Sequence, residues 1–191
     1  NTLFTGLLVE NNSNNISVMN CHINNSGDHG LTIYGGLRNE NLIIENSDKA
    51  GIYLSGTLNL NNSFIKSNGM FGVISNEGDL NLNNVSILNN SLGGLFLGGS
   101  GNTIANHCFF GTNTGACIEI SDWVVWGEST LLSVEPTGNP SSIQINNSNF
   151  GGYSSSSVGV FNIFGSSNCS SSSVMSSSNI NLPFHSLTNF I

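Results

Sequence analysis

Apolar residues recur along this chain in short runs, each opened by a small residue. The runs are Gly6-Leu7-Leu8-Val9, Gly30-Leu31-Thr32-Ile33, Gly51-Ile52-Tyr53-Leu54, Gly72-Val73-Ile74-Ser75, Gly94-Leu95-Phe96-Leu97, Cys117-Ile118-Glu119-Ile120 and Gly159-Val160-Phe161-Asn162. The opening residue advances by 24, 21, 21, 22, 23 and 42 positions, so the last step holds one repeat plus an insertion of about twenty residues. Ten residues before Gly30, Gly51, Gly72 and Gly94 stand Asn20, Asn41, Asn62 and Asn84. Alternating segments precede them, as in Ile16-Ser17-Val18, Leu58-Asn59-Leu60 and Leu80-Asn81-Leu82. Seven residues before the small residue comes a further apolar column, Ile23, Ile44, Ile65, Ile87 and Phe110.

Each repeat therefore holds three short segments with one face in and one face out. Segments this short are unstable alone and must stack on their copies, which predicts a solenoid with coils paired at β spacing. The inward columns are expected to contain Leu31, Ile52, Val73, Leu95, Ile118 and Val160, with Ile23, Ile44, Ile65 and Ile87. The Asn20–Asn84 column is expected inside, as a ladder of amides bonded to bend backbone and to each other.

These residues resemble the right-handed parallel β-helix superfamily of the pectin-lyase-like fold, over residues 6–121 and 142–165. The expected fold is an all-β, single-stranded right-handed parallel β-helix of about seven coils of 21–22 residues, occupying 1–165 with one long loop at 122–141. Residues 166–191 are expected to be a Ser-rich coil, a cap or a linker. The superfamily includes lyases, hydrolases, tailspikes and adhesins, so the resemblance implies a fold without choosing a function. Phe110-Gly111-Thr112-Asn113 and Gly93-Gly94-Leu95 look like the FxxN and GGA-type motifs of chlamydial-type adhesins.

Composition narrows the choice. Arg38, Lys49 and Lys66 are the only cations against eleven carboxylates, giving a net charge of −8. Nucleic acid is an unsuitable partner, because phosphate neutralisation needs a patch of Lys and Arg. Asn, Ser and Gly supply 87 of 191 residues, which disfavours long helices. No run of about 18 apolar residues is present, so membrane insertion as a helix is not expected. No signal peptide is visible, and Asn1 in place of Met suggests a processed or excised fragment. Cys21, Cys108, Cys117 and Cys169 lack metal-ligand spacing; buried free thiols are favoured over disulfides. Eight N-x-S triplets, at Asn11, Asn15, Asn24, Asn61, Asn84, Asn89, Asn146 and Asn168, follow from the composition unless the source glycosylates them.

The repeat breaks at 122–141, which carries both tryptophans, Trp123 and Trp126, beside Asp122. Long excursions from a rigid scaffold often carry function, and Trp stacks on sugar rings. Trp123, Trp126, Glu119 and Asp122 are therefore candidate carbohydrate-binding residues; the structural alternative is that the loop covers bare apolar surface. That surface is an outward stripe, Leu8, Tyr53, Ile74, Phe96 and Phe161, the candidate interface with another subunit.

Catalytic chemistry finds little support. The three cations lie at unlike offsets, and Asp28 and Asp48 on one bend have Lys49 beside them. His29 and His107 fall on bends as structural residues. No G-x-S-x-G elbow occurs, and no catalytic residue, metal or cofactor is expected. The favoured reading is a non-enzymatic structural or adhesion module of a virion or cell surface, extracellular and oligomeric or joined to other structural subunits. A tailspike-like depolymerase and a plain carbohydrate-binding β-helix are the alternatives.

Overall fold

The computed structural model describes residues 4–13, 15–98, 101–114, 118–120, 142–151, 161–163 and 175–183. Every regular element among them is a strand. The chain winds as a parallel β-solenoid with three faces per coil. The first face stacks β1 (Leu7–Val9), β4 (Leu31–Ile33), β7 (Ile52–Leu54), β9 (Phe71–Ser75), β11 (Gly93–Leu97), β14 (Ile118–Ile120) and β16 (Phe161–Ile163) in that order. The second stacks β2 (Ile16–Met19), β5 (Gly36–Glu40), the first halves of β8 (Thr57–Lys66) and β10 (Leu80–Leu88), β12 (Asn102–Asn106) and the start of β15 (Ser142–Gly151). The third takes β3 (His22–Asn24), β6 (Ile43–Glu45), the second halves of β8 and β10, β13 (Phe109–Gly111) and the end of β15.

The solenoid makes about five turns, fewer than the seven expected from the repeat count. Beyond Ile120 only three strands are described, β15, β16 and β17 (Met175–Pro183). β17 runs antiparallel to β15, with Ile145 opposite Ile180, so the parallel winding does not continue through it.

Stacking of like on like forms the core. Leu31, Ile52, Val73, Leu95 and Ile118 align in one column and are completely buried. Ile44, Ile65, Ile87 and Phe110 form another, equally buried. Both match the sequence expectation. Ile23 is only partly buried, because its coil lies at the end of the stack. Val160 lies outside the described residues. Phe161, expected outward, pairs with Ile118 and so takes the inward register, leaving Asn162 opposite Glu119. The glycines that open the runs are set by this packing. A Cβ on Gly72 would overlap Ile87 and the Asn90 amide of the next coil.

The asparagine column is not where the sequence suggested. Asn20, Asn41, Asn62 and Asn84 are exposed, each with φ between 49° and 55°, and His107 continues them at φ 52°. Asn25, Asn46, Ser67, Asn89 and Thr112 form a second left-handed column five residues on. The first column turns the chain from the second face to the third, and the second column turns it out of the third face toward the first. Asn is favoured there because its short polar side chain tolerates positive φ. The amides project outward and bond along the axis, Asn41 Nδ2 donating to Asn20 Oδ1 at 3.0 Å and Asn84 Nδ2 to Asn62 Oδ1 at 2.8 Å.

The buried ladder is a different column, Ser26, Ser47, Asn68, Asn90 and Asn113, three residues after the Ile column. Asn90 Oδ1 accepts from Asn68 N at 3.1 Å and from Asn68 Nδ2 at 2.9 Å. Asn113 Oδ1 accepts from Asn90 N at 2.9 Å and Asn90 Nδ2 at 3.0 Å, and Asn113 Nδ2 donates to Ile87 O at 3.1 Å. Each amide thus satisfies a bend N–H that lacks a strand partner. Asn39 is also buried among the core leucines; its Nδ2 donates to Val18 O at 3.1 Å and Arg38 O at 3.2 Å.

Cys21 and Cys108 are free thiols of one inward column, separated along it by Leu42, Ser63 and Val85. Cys108 is buried, and burial pushes its thiol pKa up to about 11. Cys21, expected to be buried, is only partly so, because it too lies on the end coil.

Asn90→Leu is expected to lower stability by about 1–3 kcal/mol, the cost of stranding a buried backbone donor. Asn62→Gly, which keeps the corner φ, should change it by less than about 0.5 kcal/mol, as at other exposed sites. Urea titration of both variants measures this; equal losses would refute the assignment of inner and outer columns.

Candidate functional site

The titratable groups sequence reasoning weighed are mostly structural pairs. Lys49 Nζ lies 2.9 Å from Asp28 Oδ1, and Lys66 Nζ 3.0 Å from Glu45 Oε2. His22 Nε2 adds a 2.8 Å contact to Glu45 Oε1, and these hydrogen bonds from Lys66 and His22 hold the Glu45 carboxyl below its ordinary pKa. His29 is buried at the bend, where its Nδ1 accepts from Ala50 N at 3.2 Å and its ring lies 5.2 Å from Tyr53. Burial lowers the His29 pKa to about 4 against the opposing pull of Asp28, with Lys49 adding to the lowering. An imidazole that accepts a backbone hydrogen bond and stays neutral acts here as a cap for the chain above. Among the described residues no three His, Cys, Asp or Glu side chains converge as a metal site.

Asp122, Trp123 and Trp126 lie outside the described residues. Glu119 is placed by its backbone alone, in β14 between Phe96 and Asn162. The outward stripe divides. Leu8 is 49% exposed and Tyr53 partly so, whereas Ile74 and Phe96 are buried within the chain, packed with Ala50 and Phe71 in a second apolar cluster. The Phe71 and Phe96 rings lie 5.3 Å apart. Phe96→Asp would therefore damage this cluster before it tested any contact between subunits. Phe161 takes the inward register described above.

A groove that sequence reasoning did not identify lies where the first face turns into the second. Its origin is unequal bend length. The aligned positions Val9, Ile33, Leu54, Ser75 and Leu97 end the first-face strands, and Ile16, Leu37, Leu58, Leu80 and Thr103 begin the second. In the first three coils the bends between them are residues 10–15, 34–36 and 55–57. The two short bends lie beside the longer first one, and a hollow of about 1090 Å³ is lined by residues of all three.

Glycine lowers its floor. Gly35 and Gly36 of the second bend and Gly56 of the third line the groove. A Cβ on Gly56 would meet the Gly35 carbonyl, and one on Gly35 would meet the Glu10 and Ser13 carbonyls. The 10–15 wall is tied down by Tyr34 N donating to Val9 O at 2.8 Å and Gly36 N to Ser13 O at 2.7 Å. Asn12 and Asn15 on this wall have φ of 71° and 62°. Arg38 and Asn59 reach the groove from adjacent strands of the second face, and Tyr34 and Met19 contribute exposed apolar surface. Arg38 is exposed, and its guanidinium has no acidic partner among the described residues. The available signal was the first repeat step, 24 residues against the 21 that follow, which places three extra residues in the wall.

The buried neutral His29 sets a pH dependence. Its folded pKa lies below the unfolded value near 6.5, so its stabilisation is complete above about pH 6.5 and is lost as pH falls toward 4. Wild type should lose up to about 3 kcal/mol more than His29→Gln over that interval. Denaturant titrations at pH 7 and 4.5 test it, and parallel losses in the two proteins would sink the assignment.

A scan against protein-family models gives no match for this chain, and searches of curated proteins and of solved structures give none either.

Proposed function

We propose that this chain is a non-enzymatic structural or adhesion module of a cell or virion surface, working through the outer faces of a right-handed β-helix of the pectin-lyase-like kind. The observation that carries this reading is the outer second face. There Asn59 and Asn81 share one column, Asn61 and Asn83 the next, and the corner amides Asn20, Asn41, Asn62 and Asn84 a third. Asn83 Nδ2 donates to Asn61 Oδ1 at 3.4 Å, the corner amides pair as Asn41 with Asn20 and Asn84 with Asn62, and Asn62 Nδ2 reaches Glu40 Oε1 at 3.5 Å. An array of amide donors and acceptors, with Arg38 and Glu40 among them, suits adhesion to hydroxyl-rich surfaces or to a neighbouring subunit. The ion pairs of Glu45 and Asp28 use their carboxylates to tie successive coils together, which weighs against a hydrolytic role for them.

The groove favours one specific form of this reading, a carbohydrate-binding β-helix. The partners in view are cell-surface glycan and other structural subunits, with an extracellular location and no nucleic acid.

Purified chain incubated with acidic and neutral polysaccharides is expected to leave their length unchanged by size-exclusion chromatography. Shortening of a polysaccharide that disappears with Glu119→Gln or Asp122→Asn would replace this reading with a depolymerase. Self-association is tested at Leu8, the exposed end of the stripe. If the stripe pairs subunits, Leu8→Asp should convert an oligomer to monomer in light scattering without changing the melting temperature, and an unchanged mass would exclude Leu8 from the contact.

A further inference from the structure

We propose that the groove between the first and second faces binds a single carboxylate-bearing sugar, presented at the end or branch of an otherwise neutral glycan. The inference deepens the surface-module reading and rests on it for the choice of a glycan as partner.

Charge is the first support. Two of the three cations are committed to carboxylates of the same chain, Lys49 to Asp28 and Lys66 to Glu45. Arg38 is the exception, and it lines the hollow. In a chain of net charge −8, an exposed guanidinium without an acidic partner among the described residues is a local reversal of sign. Its planar fork of donors matches a carboxylate in bidentate fashion.

The rest of the lining fits a sugar. Tyr34 lines the hollow, is 43% exposed and meets the Tyr53 ring at 6.3 Å, which leaves aromatic surface for the apolar side of a pyranose. The amides of Asn12, Asn15 and Asn59 supply donors and acceptors for hydroxyls. Gly35, Gly36 and Gly56 line the hollow without side chains of their own, and a Cβ at Gly35 or Gly56 would strike backbone carbonyls of the neighbouring coil. The wall is held by the two backbone hydrogen bonds from Tyr34 and Gly36, so the groove is formed before any ligand arrives.

A polyanionic chain fits less well. Successive carboxylates would need a row of cations along the second face. The positions registered with Arg38 are Ser17, Asn59, Asn81, Ile104 and Gln144, none of them basic, and Glu40 stands one outward position further along the strand. One cation and a repulsive overall field select one carboxylate.

The test uses the full chain labelled with ¹⁵N and two carboxylated probes, methyl β-D-glucuronide and the α-methyl glycoside of N-acetylneuraminic acid. Methyl β-D-glucoside is the neutral control. One or both carboxylated probes should shift the amide resonances of Gly35, Gly36 and Gly56, and which of them does so identifies a hexuronate or a nonulosonate ligand. Arg38→Gln should weaken that binding at least about tenfold, the loss expected for a charge-assisted bidentate contact. Its melting temperature should not change, since the exposed Arg38 side chain makes no hydrogen bond or ion pair with the other described residues. Tyr34→Ala should weaken binding while preserving the preference for the charged probe. Equal shifts with the neutral glucoside, undiminished binding by Arg38→Gln, or no groove shifts with either carboxylated probe would each overturn the proposal. Cleavage of a carboxylated oligosaccharide would defeat the non-enzymatic reading alone, provided that Arg38→Gln still loses binding.

Discussion

Each coil is stabilised by its neighbours, at a sequence distance of 21 to 24 residues up to Ile120 and of 40 to 43 across the insertion that follows. Up to Ile120 the described strands are three to five residues per face and pair only in parallel, with the coils above and below. Their hydrogen bonds, their apolar contacts and the satisfaction of their bends all run along the solenoid axis. The buried amides show the constraint most directly. Asn90 closes the bend of one coil by accepting from Asn68, and Asn113 does the same for Asn90. Loss of one rung strands a donor in the coil beside it, so stability is carried by the interfaces between coils.

The outer surface is governed by a different requirement. Entering and leaving the short third-face strand takes one left-handed corner at each of its ends. Asn meets that backbone need and then contributes an amide that points to solvent. Repetition makes those amides into rows. The adhesive character proposed for the second face is thus a by-product of how the chain bends, since corner residues chosen for φ also present a regular hydrogen-bonding surface.

Departures from the repeat generate the individuality of the surface. Bends of unequal length between the first and second faces leave a hollow that no single coil contains, where Tyr34 and Arg38 of one coil meet Asn59 of the next. On the first face, Tyr53, Ile74 and Phe96 stack outward as like on like, yet Ile74 and Phe96 are buried within the chain. A stripe that alternation marks as free contact surface is therefore only partly available, at Leu8 and Tyr53.

The parallel stacking and the inward columns were fixed by sequence alone, because period-2 alternation repeated every 21 to 24 residues admits no other way to bury Leu31, Ile52, Val73 and Leu95 together. The choice between the two asparagine columns was not legible. Asn20 to Asn84 and Ser26 to Asn113 advance by nearly the same steps in a chain full of Asn and Ser, and only backbone φ decides which side chains face inward. The Phe161 register likewise depends on pairing across a long insertion, where a one-residue slip reverses the face. The groove is a still more distant consequence. It arises from differences between neighbouring bends, so its residues are scattered from Asn12 to Asn59 and carry no motif; only the stacking of the coils brings them together.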